Sequence, residues 1–182
     1  EPLVKLGTLV TRFAIKAHLP VEGLIRATVF DHFCGGVNEA DCMPVVAMMW
    51  EKKVSAVLDY SVEGKDTEDP LDDALATTLR ILDFVKEQDA IPFAVFKPSG
   101  YGRFTLFQKI GEGRKLTKAE EAEWGRVVNR FDATCKKAHD LDVSLLIDAE
   151  ESWIQEPADR LVEEMMRKYN RKKAIVFNTL QC

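Results

Sequence analysis

No CxxC pair occurs in the chain, and its four cysteines, Cys34, Cys42, Cys135 and Cys182, share no zinc-ligand spacing with its three histidines. That argues against a disulfide framework or a zinc cluster and points to a reducing compartment. No apolar run approaches the ~20 residues that a bilayer-crossing helix needs, and no signal-peptide pattern is visible. Long basic runs are missing too. With 25 Lys and Arg against 30 Asp and Glu the net charge is −5, so nucleic acid, which rewards a basic face, is not the expected partner. The densest basic patch, RKYNRKK at 167–173, precedes an apolar strand. It reads as a solvated helix end whose cations offset the macrodipole. Glycine is sparse, 10 of 182 residues, with neither a GxGxxG turn nor a P-loop. The chain opens at Glu1 rather than Met, so a trimmed start is expected.

What is present is an ordinary globular composition, 46% hydrophobic and 30% charged, enough for a sizeable core. The first fifty residues read as helices. LVKLGTLVTRFAIKAHL puts Leu3, Leu6, Val10, Phe13 and Ala17 on one face at three-and-four spacing, and Pro20 breaks it. VEGLIRATVFDHF reads as a second helix ended by Gly35 and Gly36. A third, through EADCMPVVAMMWEKK, can be capped by Asn38. The rhythm then changes. Short apolar strands are expected at 54–61, 92–99, 142–150 and 173–181. Helices are expected between them, from about Pro70 to Gln88, from Thr117 to Ala138 and from Ala158 to Tyr169. Thr117 followed by Glu120 is a capping-box pattern.

Alternating strands and helices mean parallel pairing with helical crossovers. The candidates are an open doubly wound sheet and a (β/α)8 barrel. The first lacks its glycine-rich turn. The second fits because each strand ends in groups able to do chemistry: Asp59 and Tyr60, Lys97 and Ser99, Asp148 and Glu150, then Asn178, Thr179 and Gln181. The expected organisation is a helical segment, 1–53, followed by the first half of a barrel, 54–182. Only four of eight strands are present, so a remaining half must complete the barrel or its edges stay unpaired.

The stretch VSLLIDAEES, 143–152, ends an apolar strand in Asp148, Glu150 and Glu151. Three like charges are not all buried cheaply, so one is expected to be held by a cation and another solvated. Lys97 is that cation by position, at the end of the neighbouring strand FAVFK. Lys97 opposite Asp148 suits a small zwitterion: the lysine meets its carboxylate, the aspartate its amine or an orienting residue. The competing reading makes both exposed loop charges. His18, His32 and His139 are scattered, Cys135 reads as packing, and Gly100 and Gly102 as turn glycines. Trp50, Trp124 and Trp153 read as packing residues; Tyr101 and Trp153 are weaker candidates for the rim of the mouth. A Schiff base on Lys97, as in a barrel aldolase, and a non-catalytic half-barrel scaffold are the alternatives from other classes.

The set FCGG, VLDYSVEGK, FAVFKPSGYGRF, LLIDAEESWIQ and EEMMRKYNRKKAIVFNTLQC resembles the proline dehydrogenase (proline oxidase) family, in its monofunctional bacterial and mitochondrial form, over essentially the whole chain. The resemblance implies a flavin-bearing (β/α)8 barrel in which L-proline is oxidised to Δ1-pyrroline-5-carboxylate, FAD accepts the hydride, and a quinone takes the electrons. It implies Lys97 as a contact to the substrate carboxylate and Asp148, in the DAE motif, as an active-site residue that positions cationic neighbours. Ala149, Thr179 and Gln181 are implied as flavin contacts. The family's arginine pair that clamps proline would lie beyond Cys182, so these 182 residues alone are expected to be inactive. No DxDxDG-like loop is visible, and no metal is expected. The implied setting is the bacterial cytoplasm, peripheral to the inner membrane, or the matrix side of the mitochondrial inner membrane.

Overall fold

A computed structural model describes residues 2–17, 19–21, 23, 26–60 and 65–181. The chain divides into two compact units, Glu1–Val45 and Val46–Cys182.

In the first unit, helix α1 spans Pro2–Lys16. Phe13 on it is 70% exposed while Ala14 is buried, so the expected apolar stripe is not continuous at this end. The side chains of Leu3, Leu6 and Val10, and all of His18, lie outside the described residues. In place of one regular second helix there is a π-helical turn, Arg26–Phe30, running into a single α-turn, Asp31–Phe33. A π-turn carries one extra residue per turn, which the three-and-four pattern does not forecast. Helix α2, Glu39–Glu51, begins as expected at Asn38. Its Oδ1 accepts the Asp41 N–H at 2.9 Å, satisfying one of the orphan donors of the first turn.

The second unit alternates helix and strand: α3 (Glu68–Val85), β1 (Phe93–Phe96), a 3₁₀ turn (Pro98–Gly100), α4 (Phe104–Gly111), α5 (Lys118–Leu141), β2 (Ser144–Ile147), α6 (Ser152–Tyr169) and β3 (Val176–Asn178). The strands form one parallel sheet in chain order, β1–β2–β3. Ala94 pairs with Leu145 and Phe96 with Ile147, while Leu145 pairs with Val176. The protein is therefore of mixed α/β class with a parallel sheet. The strand expected at 54–61 is reduced to one parallel bridge, Leu58 to Ala94, plus a hydrogen bond from Ala56 N–H to the Ala90 carbonyl. Among the described residues this segment has a single strand neighbour, so much of its backbone lacks a ladder partner there, and Val54 and Val57 stay half exposed. Residues 61–64, including Gly64, lie outside the described residues. Helix α4 is an element that the sequence reading does not include, lying between the strand expected at 92–99 and the helix expected from Thr117.

Strand side chains alternate between faces. Ala94, Phe96, Leu145, Ile147 and Val176 are buried. Phe96 stacks on Tyr101 with centroids 4.5 Å apart and meets Phe131 edge-on at 5.1 Å. The other face carries Phe93, Val95, Ser144, Leu146 and Phe177, with Phe93 against Phe177 at 5.4 Å. Only Val95 of these five is fully buried, so this face is less completely covered than continuous apolar strands suggest.

The helices are placed by specific contacts. The capping box forms as read: Thr117 Oγ1 accepts the Glu120 N–H while the Glu120 carboxylate accepts the Thr117 N–H. Arg130, 3% exposed, ties α5 to α3 through Asp72 and Glu68 and to the turn after β1 through the Tyr101 carbonyl. Cys135 is fully buried, and burial pushes its thiol up to about 12, as suits a packing residue. Trp124 packs edge-on against Phe107, whereas Trp50 and Trp153 are exposed.

Candidate functional site

Three neighbouring parallel strands end at the same edge of the sheet, so whatever follows each strand is brought together. Pro98 has no N–H to continue β1, and Lys97 is the last extended residue before the 3₁₀ turn. The Asp148 N–H donates to the Phe96 carbonyl at 3.0 Å and the Thr179 N–H to the Ile147 carbonyl at 3.1 Å. Those bonds carry the ladder one residue past β2 and β3, and Lys97 continues β1 in extended backbone. By two-residue alternation Lys97, Asp148 and Thr179 then share the less-covered face with Val95, Leu146 and Phe177.

Lys97 Nζ lies 2.6 Å from Asp148 Oδ2 and 3.2 Å from Asp59 Oδ2. The sequence pairs Lys97 with Asp148; the second carboxylate, from the segment before α3, comes only with the fold. Burial by itself lowers the lysine's pKa, but the hydrogen bonds and charges of Asp148 and Asp59 outweigh it and hold the ammonium above its ordinary value. Two carboxylates on one ammonium leave the trio with one net negative charge.

The other two carboxylates of the DAEE stretch divide as their surroundings dictate. Glu150 accepts the Ser99 N–H at 2.7 Å and the Ser99 hydroxyl. Glu151 is exposed at the N-cap of α6. So one acid is held by a cation, one accepts from Ser99 and one is exposed. The Ser99–Glu150 pair was not legible beforehand; its only trace is that both residues end neighbouring strands.

Ala149 is buried, and its carbonyl accepts Gln181 Nε2 at 3.2 Å. Thr179 Oγ1 is buried with no hydrogen-bond partner among the described residues. An unsatisfied buried hydroxyl costs about 1–3 kcal/mol and is best explained by a group that completes it. Lys97, Phe104, Ala149, Glu150, Glu151 and Gln181 line an open concavity of about 270 Å³. Lys97, Asp148, Ala149, Thr179 and Gln181 thus all fall at one sheet edge. Tyr101 does not reach the rim: it is 1% exposed and its hydroxyl bonds to Thr134 at 2.7 Å. Among the described residues no group of three or more His, Cys, Asp or Glu is placed to hold a metal ion. No helix among them is long and apolar enough to cross a membrane.

Comparison with known proteins places these residues in context. A family model described as proline dehydrogenase matches residues 42–182. The carbapenem antibiotics biosynthesis protein CarD of Pectobacterium carotovorum subsp. carotovorum is 33% identical across 88% of this chain and 43% of its own length. The mitochondrial proline dehydrogenase 1 of Drosophila melanogaster is 48% identical over 78 residues, 41% of this chain and 12% of that protein. The corresponding Arabidopsis thaliana protein is 25% identical across 99% of this chain and 45% of its own length. The chain spans less than half the length of these curated relatives.

Proposed function

The chain belongs to the proline dehydrogenase family, and from that premise we propose that the whole protein is a flavoenzyme oxidising L-proline to Δ1-pyrroline-5-carboxylate. FAD is the proposed cofactor and a quinone the proposed electron acceptor. The observation that carries this reading is Lys97 between Asp148 and Asp59, at the same end of the sheet as the buried Thr179 hydroxyl, which has no hydrogen-bond partner among the described residues. An ammonium and a buried hydroxyl without a partner among the described residues, on one sheet edge, fit a small amino acid and a polar cofactor side by side.

Lys97 binds the substrate carboxylate. Asp148 and Asp59 keep it protonated and fix where it points, so the substrate is oriented at modest entropic cost. With Asp148 and Asp59 each facing the ammonium, the third of its three N–H donors is left for the substrate carboxylate. Ala149, Thr179 and Gln181 are the proposed flavin contacts, Thr179 through its free hydroxyl. The bound flavin supplies the hydride acceptor that no side chain provides. A lysine held as an ammonium is a poor nucleophile, which argues against a Schiff-base aldolase.

The proposed architecture is a (β/α)8 barrel, of which residues 54–182 are the first half and 1–53 a helical prelude. It is supported by the chain-order parallel sheet and by the half-covered face that a remaining half would fill. The proposed setting is the bacterial cytoplasm, peripheral to the inner membrane; mitochondrial relatives favour the matrix side as the alternative. CarD, aligned across most of this chain, is named for antibiotic biosynthesis. That favours a second reading of the route, in which the same ring oxidation serves a biosynthetic sequence on a proline derivative.

The test is the visible spectrum of the full-length protein. A flavin band bleached anaerobically by L-proline supports the reading, bleaching only by substituted prolines supports the biosynthetic variant, and a colourless protein, or one whose flavin neither L-proline nor a substituted proline bleaches, overturns both.

A further inference from the structure

We propose that Asp159, on α6 and away from the strand ends, is a positioning residue that fixes the Asp148–Glu150 segment through Gln155 and ties it to β3 through Asn178. The functional reading of that segment rests on the preceding proposal; the structural coupling does not.

Asp159 Oδ1 accepts two amides at once, Gln155 Nε2 at 2.8 Å and Asn178 Nδ2 at 2.8 Å. An ionised carboxylate has no proton to donate, so each amide must turn its NH₂ group toward it. For Gln155 this leaves the carbonyl oxygen facing the other way, where it accepts the Glu150 N–H at 2.9 Å. The carboxylate therefore selects one of two near-isosteric amide orientations. The other orientation would set an NH₂ against the Glu150 N–H.

Glu150 is then held at both ends. Its N–H goes to Gln155, and its carboxylate takes the N–H and hydroxyl of buried Ser99. Next to it, the Ala149 carbonyl is held by Gln181 and Asp148 by Lys97. One unbroken line of hydrogen bonds thus joins the turn after β1, the loop after β2, helix α6 and strand β3. Gln155 and Asp159 alone would be an ordinary i, i+4 helix pair. What sets this pair apart is Asn178, which arrives from a strand 19 residues later, and the Glu150 amide at the far end.

The test compares Asp159→Leu with Asp159→Asn in the full-length protein. Leucine keeps the bulk and removes the acceptor. Asparagine keeps a carbonyl oxygen at the shared point. Hydrogen exchange of a peptide covering residues 148–155, which needs neither flavin nor turnover, should quicken at least about tenfold in D159L, and D159N should recover most of that change. The visible circular dichroism of bound flavin should shift in D159L, with kcat reduced more than KM is raised. Gln155→Leu should reproduce the exchange phenotype, and the D159L/Q155L double variant should be no worse than the worse single. Unchanged exchange in D159L and Q155L, or D159N as impaired as D159L, overturns the proposal. If exchange behaves as stated while the parent protein shows no proline-driven bleaching, the functional reading fails and the coupling stands.

Discussion

Lys97 is shared by two acids from different segments: Asp148 at 2.6 Å, following β2, and Asp59 at 3.2 Å, preceding α3. The lysine side chain is 16% exposed, Asp59 38% and Asp148 33%. The cation is thus the more buried member of the trio, and the acids supply the counter-charge that its burial requires.

Replacing Lys97 by Met should raise KM for proline in the full-length protein about tenfold or more, corresponding to ~1.4 kcal/mol of lost binding. Steady-state kinetics check this, with circular dichroism to confirm folding. The opposite outcome, an unchanged KM in a folded variant, would remove Lys97 from the substrate site. Borohydride treatment with a carbonyl compound should leave Lys97 unlabelled.

Acid should weaken the α3–α5 junction. Hydrogen bonds from Arg126, helped by those from Arg130, overcome burial and bring Glu68 from its ordinary 4.5 to about 2. A carboxylate depressed on folding contributes stability that is fully present above about 4.5 and is lost as the pH falls toward 2. Glu68→Gln should therefore be less stable than the parent at neutral pH, and the gap should narrow between those two values. Denaturant midpoints measured across that range check it; a gap that widens on acidification contradicts it.

Thr117→Ala should cost about 1 kcal/mol by removing half of the capping box at the start of α5. Glu120 would keep its ion pair with Lys109 at 2.7 Å, so the loss should be of the cap rather than of the first turn as a whole. Urea denaturation measures it.

Gly102→Ala should destabilise by about 1–3 kcal/mol through overpacking. A Cβ there would stand 2.7 Å from Val127 Cγ2 and 3.0 Å from Phe107 Cε2, and both neighbours are fully buried. Gly113→Ala tests backbone conformation instead, because its φ is +67° with open space around it. A tolerated Ala at 102 would mean that Val127 can yield.

The sequence by itself determined the order and type of most second-unit elements, the capping box at Thr117 and the convergence of Lys97 on Asp148. These follow from local rules: apolar runs mark strands, a short polar side chain marks a helix start, and parallel strands must end together. Only the tertiary structure decided what depends on neighbours distant in the chain. It reduced the segment around Leu58 to one bridge because a ladder needs a partner along its length. It gave Asp59 to Lys97, buried Tyr101 against Thr134 and Phe131 rather than leaving it at the rim, and joined Asp159 to Asn178. Each of these is a choice among several chemically equivalent partners, and a partner is chosen by proximity in space, which spacing along the chain does not encode.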